Sequence, residues 1–478
     1  MSSPALATSL LAGALLAACT VGPEYVRPDA VDRMPEAFAG GGAWKVAAPG
    51  DRQPRGEWWL VFGDPELDRL ERLAVDGSQR LKAAAARFSQ ARAAGDVARS
   101  GLFPRIGVAA STTRQHDSAE RPLSTTGVAA GRSFTYDAFT VPFDLGWELD
   151  LWGRVRRQVE SAQAREEAEA ADLESVRLAL AAEVAADYFA LRALDDERRL
   201  LTATVDGYRG ALEVVKARRA AGIVSDLDVA QADTSLRSAE ALLPPNALAR
   251  ARFEHALAVL TGQPAPVFRL AEGPPPPEPP PLPPGLPSQL LERRPDVGAA
   301  ERRMAAANAG VGLAEAAFYP SLRLGAGGGT QGVEVASLFT APSLFWALGG
   351  SLTLPLFQGG LLHANERGAR AGWDEAVARY REVVLSALAE VEDGLAAQTW
   401  LAEEHLRLQA AAAAARAQAS MARSRYEHGL VSYLPVVVAE AVALERDRAV
   451  VRSRGQRAAA AVALVKALGG GWGEAAER

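Results

Sequence analysis

The fold is decided by residues 154–219, whose sequence is RVRRQVESAQAREEAEAADLESVRLALAAEVAADYFALRALDDERRLLTATVDGYRGALEVVKARR. This segment has no proline, and its only glycines are Gly207 and Gly210. Apolar residues recur at steps that alternate mostly between three and four, which is typical of helices packed along a seam. At 1.5 Å per residue, one helix here is about 100 Å long. Charges such as Arg192 and Asp195 exclude it from lipid, so we expect it to stand in water.

The chain contains two copies of one order of elements. Residues 102–106 (LFPRI) recur as 318–322 (FYPSL), and residues 222–227 (GIVSDL) recur as 429–434 (GLVSYL). Each copy predicts a helix, two strands, a very long helix and a shorter helix. Partial alternation of apolar residues places the strands near Pro104–Arg114 and Ser133–Leu151 in the first copy, and near Ser321–Gly329 and Ser343–Phe357 in the second.

The turns after the long helices have the residues that end one helix and begin the next. Gly222 and Gly429 are suited to the left-handed position that ends a helix. Ser225 and Ser432 follow as expected N-caps of the return helices. Pro244-Pro245 should interrupt the first return helix, because proline lacks the N–H that a helix interior needs.

Four strands are too few to close a barrel, for which about eight is a practical minimum. Open sheet edges are not tolerated in lipid. A membrane location therefore requires several chains to pool their strands, and we favour that arrangement. The alternative is a soluble antiparallel sheet packed on helices.

The N-terminus predicts a lipoprotein signal. Residues Ala5–Ala18 are mostly apolar, too short for a membrane span but suited to a secretory signal. The run ends in Leu16-Ala17-Ala18 directly before Cys19, which we expect to be lipidated after removal of residues 1–18. The alternative is a buried, unmodified cysteine. Thr20 follows where an acidic residue would often signal inner-membrane retention, so the outer membrane is favoured.

Composition argues against most other classes of protein. The net charge of −6 does not suggest a nucleic-acid partner. Cys19 is the only cysteine and the five histidines are scattered, so neither a cysteine-based zinc site nor a recognised histidine motif is expected. No catalytic triad or carboxylate pair can be defended. We therefore expect no enzyme activity, no metal and no cofactor.

Several motifs together resemble one family. They are CTVGPEY (residues 19–25), WWLVFGDPEL (58–67), FDLGWELDLWG (143–153), LERRPD (291–296), YEHGLVSYL (426–434) and ALGGGW (467–472). The sequence resembles the outer-membrane efflux proteins of the TolC family, specifically the lipoprotein (NodT-type) branch that serves RND efflux systems. These motifs cover nearly the whole mature chain.

The resemblance implies a mostly α fold with β structure. Three chains would each contribute four strands to a twelve-stranded outer-membrane β-barrel, continued by an α-helical coiled-coil tunnel in the periplasm. The partners implied are two further copies, a periplasmic adaptor (membrane fusion) protein, an inner-membrane RND pump and outer-membrane lipid. The expected segments are a signal peptide (1–18), a lipidated segment (19–64), two efflux repeats (65–272 and 288–471), a proline-rich linker between them (273–287) and a tail (472–478).

The resemblance also assigns residues at the periplasmic tip. The turns between helices would receive the adaptor, at Gly222, Ile223, Val224, Ser225, Gly429, Leu430, Val431 and Ser432. These residues can act as helix caps as well. The family usually closes the aperture with an apolar ring and an acidic ring. Leu434 matches the apolar ring, whereas Val438 stands where an aspartate is expected and Glu440 is the nearest acid.

The function expected is therefore a passive exit duct in the outer membrane for small molecules such as drugs, driven by the pump. Two alternatives remain open at this point. One is the outer-membrane component of a type I-like secretion system, because the family serves both. The other is a periplasm-spanning structural lipoprotein whose helices pack without a pore.

Overall fold

The computed structural model describes residues 20–30, 56–120, 133–279 and 293–470. The expected signal peptide, Cys19, the C-terminal tail and residues 280–287 of the linker lie outside these ranges. Within them the chain is mostly helical with one antiparallel sheet. The helices are α1 (Pro65–Gly77), α2 (Gln79–Ser100), α3 (Arg154–Ala220), α4 (Asp226–Glu240), α5 (Leu243–Leu260), α6 (Pro295–Ala316), α7 (Leu361–Glu427) and α8 (Leu434–Ala467).

The two long helices are confirmed. Helices α3 and α7 have 67 residues each and are uninterrupted. The first return helix is divided into α4 and α5, and α5 begins with proline in its first turn, as Pro244-Pro245 predicts. The first helix of the chain also breaks, at Ser78 between α1 and α2.

The sheet has five strands, β1 (Arg105–Val108), β2 (Ser111–Asp117), β3 (Phe134–Leu149), β4 (Ser321–Gly332) and β5 (Leu344–Thr353). Its order is β1-β3-β4-β5, and β2 also pairs with β3. Strands β1 and β2 together occupy the place of the first predicted strand. The backbone of Ala109 still donates to Pro142 O at 3.1 Å in the gap between them, so both segments follow the same partner strand.

The chain forms two compact units. The first comprises residues 1–28, 89–167 and 301–378 and contains the sheet. The second comprises residues 29–88, 168–300 and 379–478. Its main core packs Trp58, Trp59 and Phe62 against α3, where the rings of Phe62 and Phe189 lie 4.9 Å apart.

Two charged residues of α3 are buried and paired. Asp195 is fully buried and accepts hydrogen bonds from Arg192 (3.0 Å) and Arg250 (2.7 Å). Arg192 also donates to the carbonyl of Ala271 at 2.7 Å. These charges are covered because the segment that follows α5 folds back over this part of α3.

One buried acid of the second unit has no partner. Glu71 on α1 is fully buried, and neither carboxyl oxygen makes a hydrogen bond within the described part of the chain. Burial and, to a smaller extent, the nearby Asp68 carboxylate together raise the pKa of Glu71 to about 9. The Glu71 side chain is therefore protonated at neutral pH.

None of the helices in the described ranges is both long enough and apolar enough to cross a membrane.

Candidate functional site: the helix turns and the two faces of the sheet

The turn between α3 and α4 is built around Gly222. Its φ of 76° lies in the left-handed region, which glycine adopts without steric cost. Ile223 N–H donates to Arg218 O and Gly222 N–H to Arg219 O, both at 2.9 Å, which is a Schellman ending. Ser225 then caps α4 in a capping box with Asp228. The predicted C-cap glycine and N-cap serine are confirmed here.

The turn between α7 and α8 begins in the same way and ends differently. Gly429 has φ 74°, and Leu430 N–H donates to Arg425 O at 2.9 Å. Ser432, however, is not the N-cap; Tyr433 is, without a side-chain hydrogen bond. The prediction for Ser432 was wrong, and Pro435 removes one of the two N–H groups that a serine cap at this position could accept.

Each turn presents one apolar side chain to solvent and packs the next one inward. Ile223 and Leu430 are 70% and 68% exposed. Val224 and Val431 are half-buried against the cluster below. The four predicted residues of each turn are thus contiguous at the helix ends, and the exposed apolar pair is available to a partner protein.

The apolar cluster beneath the turns joins four helices. Its buried members are Val205, Tyr208, Leu212, Val215, Ala232, Leu236, Ala239, Tyr426, Tyr433 and Val436. Burial and, to a smaller extent, the Glu440 carboxylate together raise the pKa of Tyr208 and of Tyr433 to about 12. These phenols are therefore neutral at physiological pH.

Polar contacts tie the two turns to each other. Tyr433 N–H donates to Asp228 Oδ1 at 3.3 Å. Arg218 lies over the Tyr426 ring at 5.2 Å and donates to the carbonyls of Tyr426 (3.4 Å) and Glu427 (3.3 Å) at the end of α7. Sequence reasoning missed Asp228 and Arg218, although the Ser-x-x-Asp spacing at residues 225–228 is a capping-box signal.

The first turns of α8 carry the three residues expected at the aperture. Leu434 and Val438 are 51% and 53% exposed, and Val442 continues the same stripe at 41%. Steps of four place these three side chains on one helix face. Val442 was not among the predicted aperture residues, although its spacing of four from Val438 identifies it.

Glu440 lies on a different face of α8. It is 7% exposed and pairs with Arg423 of α7, whose Nε lies 3.0 Å from Glu440 Oε1. The other carboxylate oxygen, Oε2, is buried without a hydrogen bond among the described residues. Val214, Tyr426 and Glu440 line a cavity of about 290 Å³. Within one chain Glu440 therefore joins α8 to α7 through its pair with Arg423.

The sheet has two chemically different faces. The register places the large exposed apolar side chains on one face; they are Ile106, Val108, Phe143, Leu324, Leu344, Trp346, Leu348 and Leu352. The other face carries glycines and polar groups, among them Gly107, Asp144, Gly146, Arg323, Gly325, Gly327, Gly349 and Ser351. This contrast between a mostly apolar face and a face of mostly small or polar residues is characteristic of strands between lipid and water.

The base of the sheet is held by ion pairs and by the start of the chain. Glu148 pairs with Arg154 at 2.7 Å and lies 3.7 Å from Arg323. Val21 N–H donates to Trp152 O at 3.0 Å, just after β3 ends. Cys19 itself lies outside the described residues, but the chain two residues later is fixed at this end of the sheet.

No group of three or more histidine, cysteine, aspartate or glutamate side chains with metal-binding geometry occurs in the described ranges.

The comparisons with known proteins agree on one family. The family model described as "Outer membrane efflux protein" matches residues 70–263 and 286–470. Outer membrane protein OprJ of Pseudomonas aeruginosa is 34% identical, over 99% of this chain and 98% of that protein. The toluene efflux pump outer membrane protein TtgF of Pseudomonas putida is 32% identical, over 97% of this chain and 96% of its own length.

Solved structures are similar over the same extent. The outer-membrane channel OprN has a TM-score of 0.84 at 31% identity, covering 95% of this chain and all of its own. The open state of the MtrE outer membrane channel of Neisseria gonorrhoeae has a TM-score of 0.80 at 29% identity, covering 95% of this chain and 98% of its own. The similarity thus extends over nearly the whole chain.

Proposed function

The chain belongs to the outer membrane efflux protein family, and we propose that three copies form a passive exit duct for small molecules. It is an outer-membrane component of an efflux system that extends into the periplasm. Its relatives are channel proteins. The energy for transport comes from an inner-membrane pump of the RND class, which delivers its substrate through a periplasmic adaptor.

The observation that supports a duct best is the two-faced sheet. Eight large apolar side chains on one face are exposed in a single chain, where lipid is the solvent that would favour them. The opposite face carries mostly glycines and polar side chains and suits a water-filled lumen. The edge strands of one sheet need neighbours in a membrane because their backbone groups must be hydrogen-bonded. With β1 and β2 counted as one strand, three copies form a twelve-stranded barrel in which every strand has a partner on both sides.

The turn residues support adaptor binding. Ile223 and Leu430 expose apolar side chains beside glycines in the left-handed conformation, and a partner backbone can approach closely there. The stripe of Leu434, Val438 and Val442 supports an aperture closed by apolar side chains, which gates by excluding water. Glu440 would contribute to the aperture only after leaving Arg423.

The lipid anchor and the cargo are inferred from the signal motif and from the names of relatives. We assign the lipid to Cys19 because the signal motif precedes it and the following residues lie at the base of the sheet. Among the relatives, one is named for toluene efflux and another for pyoverdine export. A small-molecule cargo is therefore favoured over a secreted protein. The boundaries given above for the two repeats and the linker belong to this proposal.

Dye efflux from cells tests this function. Cells that hold the cognate adaptor and pump but lack this chain are loaded with ethidium. The wild-type chain should restore efflux, and the double variant Ile223→Asp/Leu430→Asp should reach the outer membrane as a trimer without restoring it. Wild-type protein that is trimeric in the outer membrane yet restores no efflux would refute the duct.

A further inference from the structure

The loop that joins β4 to β5, residues 333–343, lies at the end of the sheet remote from the helices. The pairing of β4 with β5 runs from Ser321 and Thr353 at the base of the sheet to Thr330 and Leu344 just before this loop. Strand β5 has 10 residues, and a strand needs about 9–11 to cross a bilayer. In the barrel proposed above, on which this inference rests, the loop begins where the strands reach the outer surface of the membrane.

The β4–β5 loop folds back over the apolar face of the sheet. Leu324 and Gly332 share that face, because alternate residues of a strand point to the same side and the register with β3 is unbroken between them. A Cβ at Gly332 would meet Ser337 Oγ at 3.4 Å, Glu334 O at 3.5 Å and Ser343 Oγ at 3.7 Å. These loop atoms therefore lie over the face that we assign to lipid.

The loop stays within the sheet of its own chain. Gly332 belongs to β4 and pairs with β3, and both strands are interior in the order β1-β3-β4-β5. A second copy would add at the edges of the sheet. What covers the outer surface of the loop is therefore not a neighbouring copy.

The polar groups of the loop are bonded within it. Ser337 Oγ donates to Glu334 O at 3.1 Å, and the hydroxyls of Thr340 and Ser343 both donate to Ser337 O at 2.7 Å. These are the three hydroxyl groups of residues 333–343. Polar groups satisfied in this way lose little when water is removed.

The surface that remains is apolar. Val333, Val335 and Phe339 are 62%, 61% and 79% exposed, and Trp346 on the adjoining strand is 78% exposed. Glu334 is the only charged residue of the loop. The loop thus continues the apolar face of the sheet, and an exposed apolar surface of this kind is unfavourable in water.

We propose that the β4–β5 loop inserts into the outer leaflet of the outer membrane, with Val335 and Phe339 among the lipid acyl chains. Phe339 lies just below the headgroups, the level that aromatic rings of membrane barrels occupy. Glu334 remains at the headgroup level, where a carboxylate costs little. The loop acts as a wedge that fixes the height of the barrel in the membrane.

Spin labels on introduced cysteines test this, using the purified trimer in vesicles of phosphatidylethanolamine and phosphatidylglycerol. Phe339→Cys carries the label in the loop. Trp346→Cys is the lipid reference and Ile223→Cys the water reference, because both native side chains are exposed to a similar extent. Paramagnetic resonance measures collisions of the label with oxygen, which concentrates in lipid, and with the polar complex nickel ethylenediaminediacetate. The oxygen-to-nickel collision ratio at residue 339 should match that at 346 and exceed that at 223 about tenfold, because lipid excludes the polar complex.

Two controls separate this proposal from the proposed function. The parent protein, labelled in the same way, measures any signal from Cys19, and Val335→Cys should repeat the result for residue 339. A ratio at residues 335 and 339 equal to that at 223, with residue 346 in lipid, would overturn the insertion of the loop and leave the barrel intact. Water-like ratios at all four labelled positions would overturn the lipid-facing sheet itself, and the loop proposal with it.

Discussion

Asp228 accepts the backbone N–H of Tyr433 at 3.3 Å. The same carboxylate completes the capping box of Ser225, whose N–H lies 2.9 Å from Oδ2. One side chain of the first repeat therefore fixes both the start of its own return helix and the start of the corresponding helix in the second repeat. Since the third residue of α8 is Val436, Asp228 accepts the N-cap N–H that an acidic residue at that position would accept in a capping box.

Removing that carboxylate should loosen the start of α8. Asp228→Ala loses an N-cap interaction of about 1 kcal/mol, so amide exchange across residues 433–437 should accelerate roughly fivefold. Hydrogen exchange with mass spectrometry measures this. Asp226→Ala is the matched control, because Asp226 only pairs with exposed Arg219. Equal amide protection of residues 433–437 in both variants would refute a stabilising contact between Asp228 and the start of α8.

Removing Arg423 should cost more stability than removing its partner Glu440. The Glu440 side chain is 8% exposed and that of Arg423 is 51% exposed. Arg423→Gln leaves a buried carboxylate without its cationic partner, whereas Glu440→Gln leaves an arginine that water can reach. Arg423→Gln should therefore lower the unfolding temperature more than Glu440→Gln, and the double variant should recover part of the loss. The opposite order would mean that Glu440 reaches water.

Glu71 should make stability fall as pH rises. Its folded-state pKa is about 9, above that of an unfolded glutamate, about 4.3. The folded chain thus holds the proton more tightly, and unfolding is favoured increasingly between these two pH values. Glu71→Gln, which stays neutral, should gain thermal stability over the wild type at pH 8 and little at pH 5. Tryptophan fluorescence during heating follows this, with exposed Asp76→Asn as the control. A gain that is equal at both pH values would contradict an unpaired buried acid.

Val438 should control the resting state of the aperture. Val438→Asp places a charge in the apolar stripe of α8, and a hydrated constriction conducts better than a dry one. Resting conductance in planar bilayers should rise, with trimer levels unchanged. Ile223→Asp, the same change of chemistry at the adaptor turn, should leave conductance as it was. Unchanged conductance in Val438→Asp would remove this position from the aperture.

Local patterns in the sequence predicted most of the fold. The absence of proline and the three-four spacing predicted α3, and the paired motifs at residues 222–227 and 429–434 predicted both turns. Serine before a helix suggests an N-cap, but at Ser432 the proline three residues later removes one of the two N–H groups that the serine could accept, and the helix begins one residue further on. An N-cap therefore cannot be predicted from the residue type alone when a proline lies within the next three residues.

The contacts that join distant segments could not be predicted in this way. Arg192 and Asp195 appear in the sequence as surface charges, yet residues near Ala271 cover them. Glu440 is likewise two residues from an exposed valine and is still buried, because its partner Arg423 lies on another helix. Spacing along one helix shows which residues share a face, but not which neighbour covers that face.

The account depends most on whether the assembled protein encloses a continuous water-filled path. Single-channel recording of the purified trimer in planar lipid bilayers measures this directly, with Val438→Asp as the opened reference. We predict discrete, reproducible current steps for the wild type and larger steps for the variant. Trimers that insert into the bilayer yet pass no ions in either form would show a solid bundle and contradict the account.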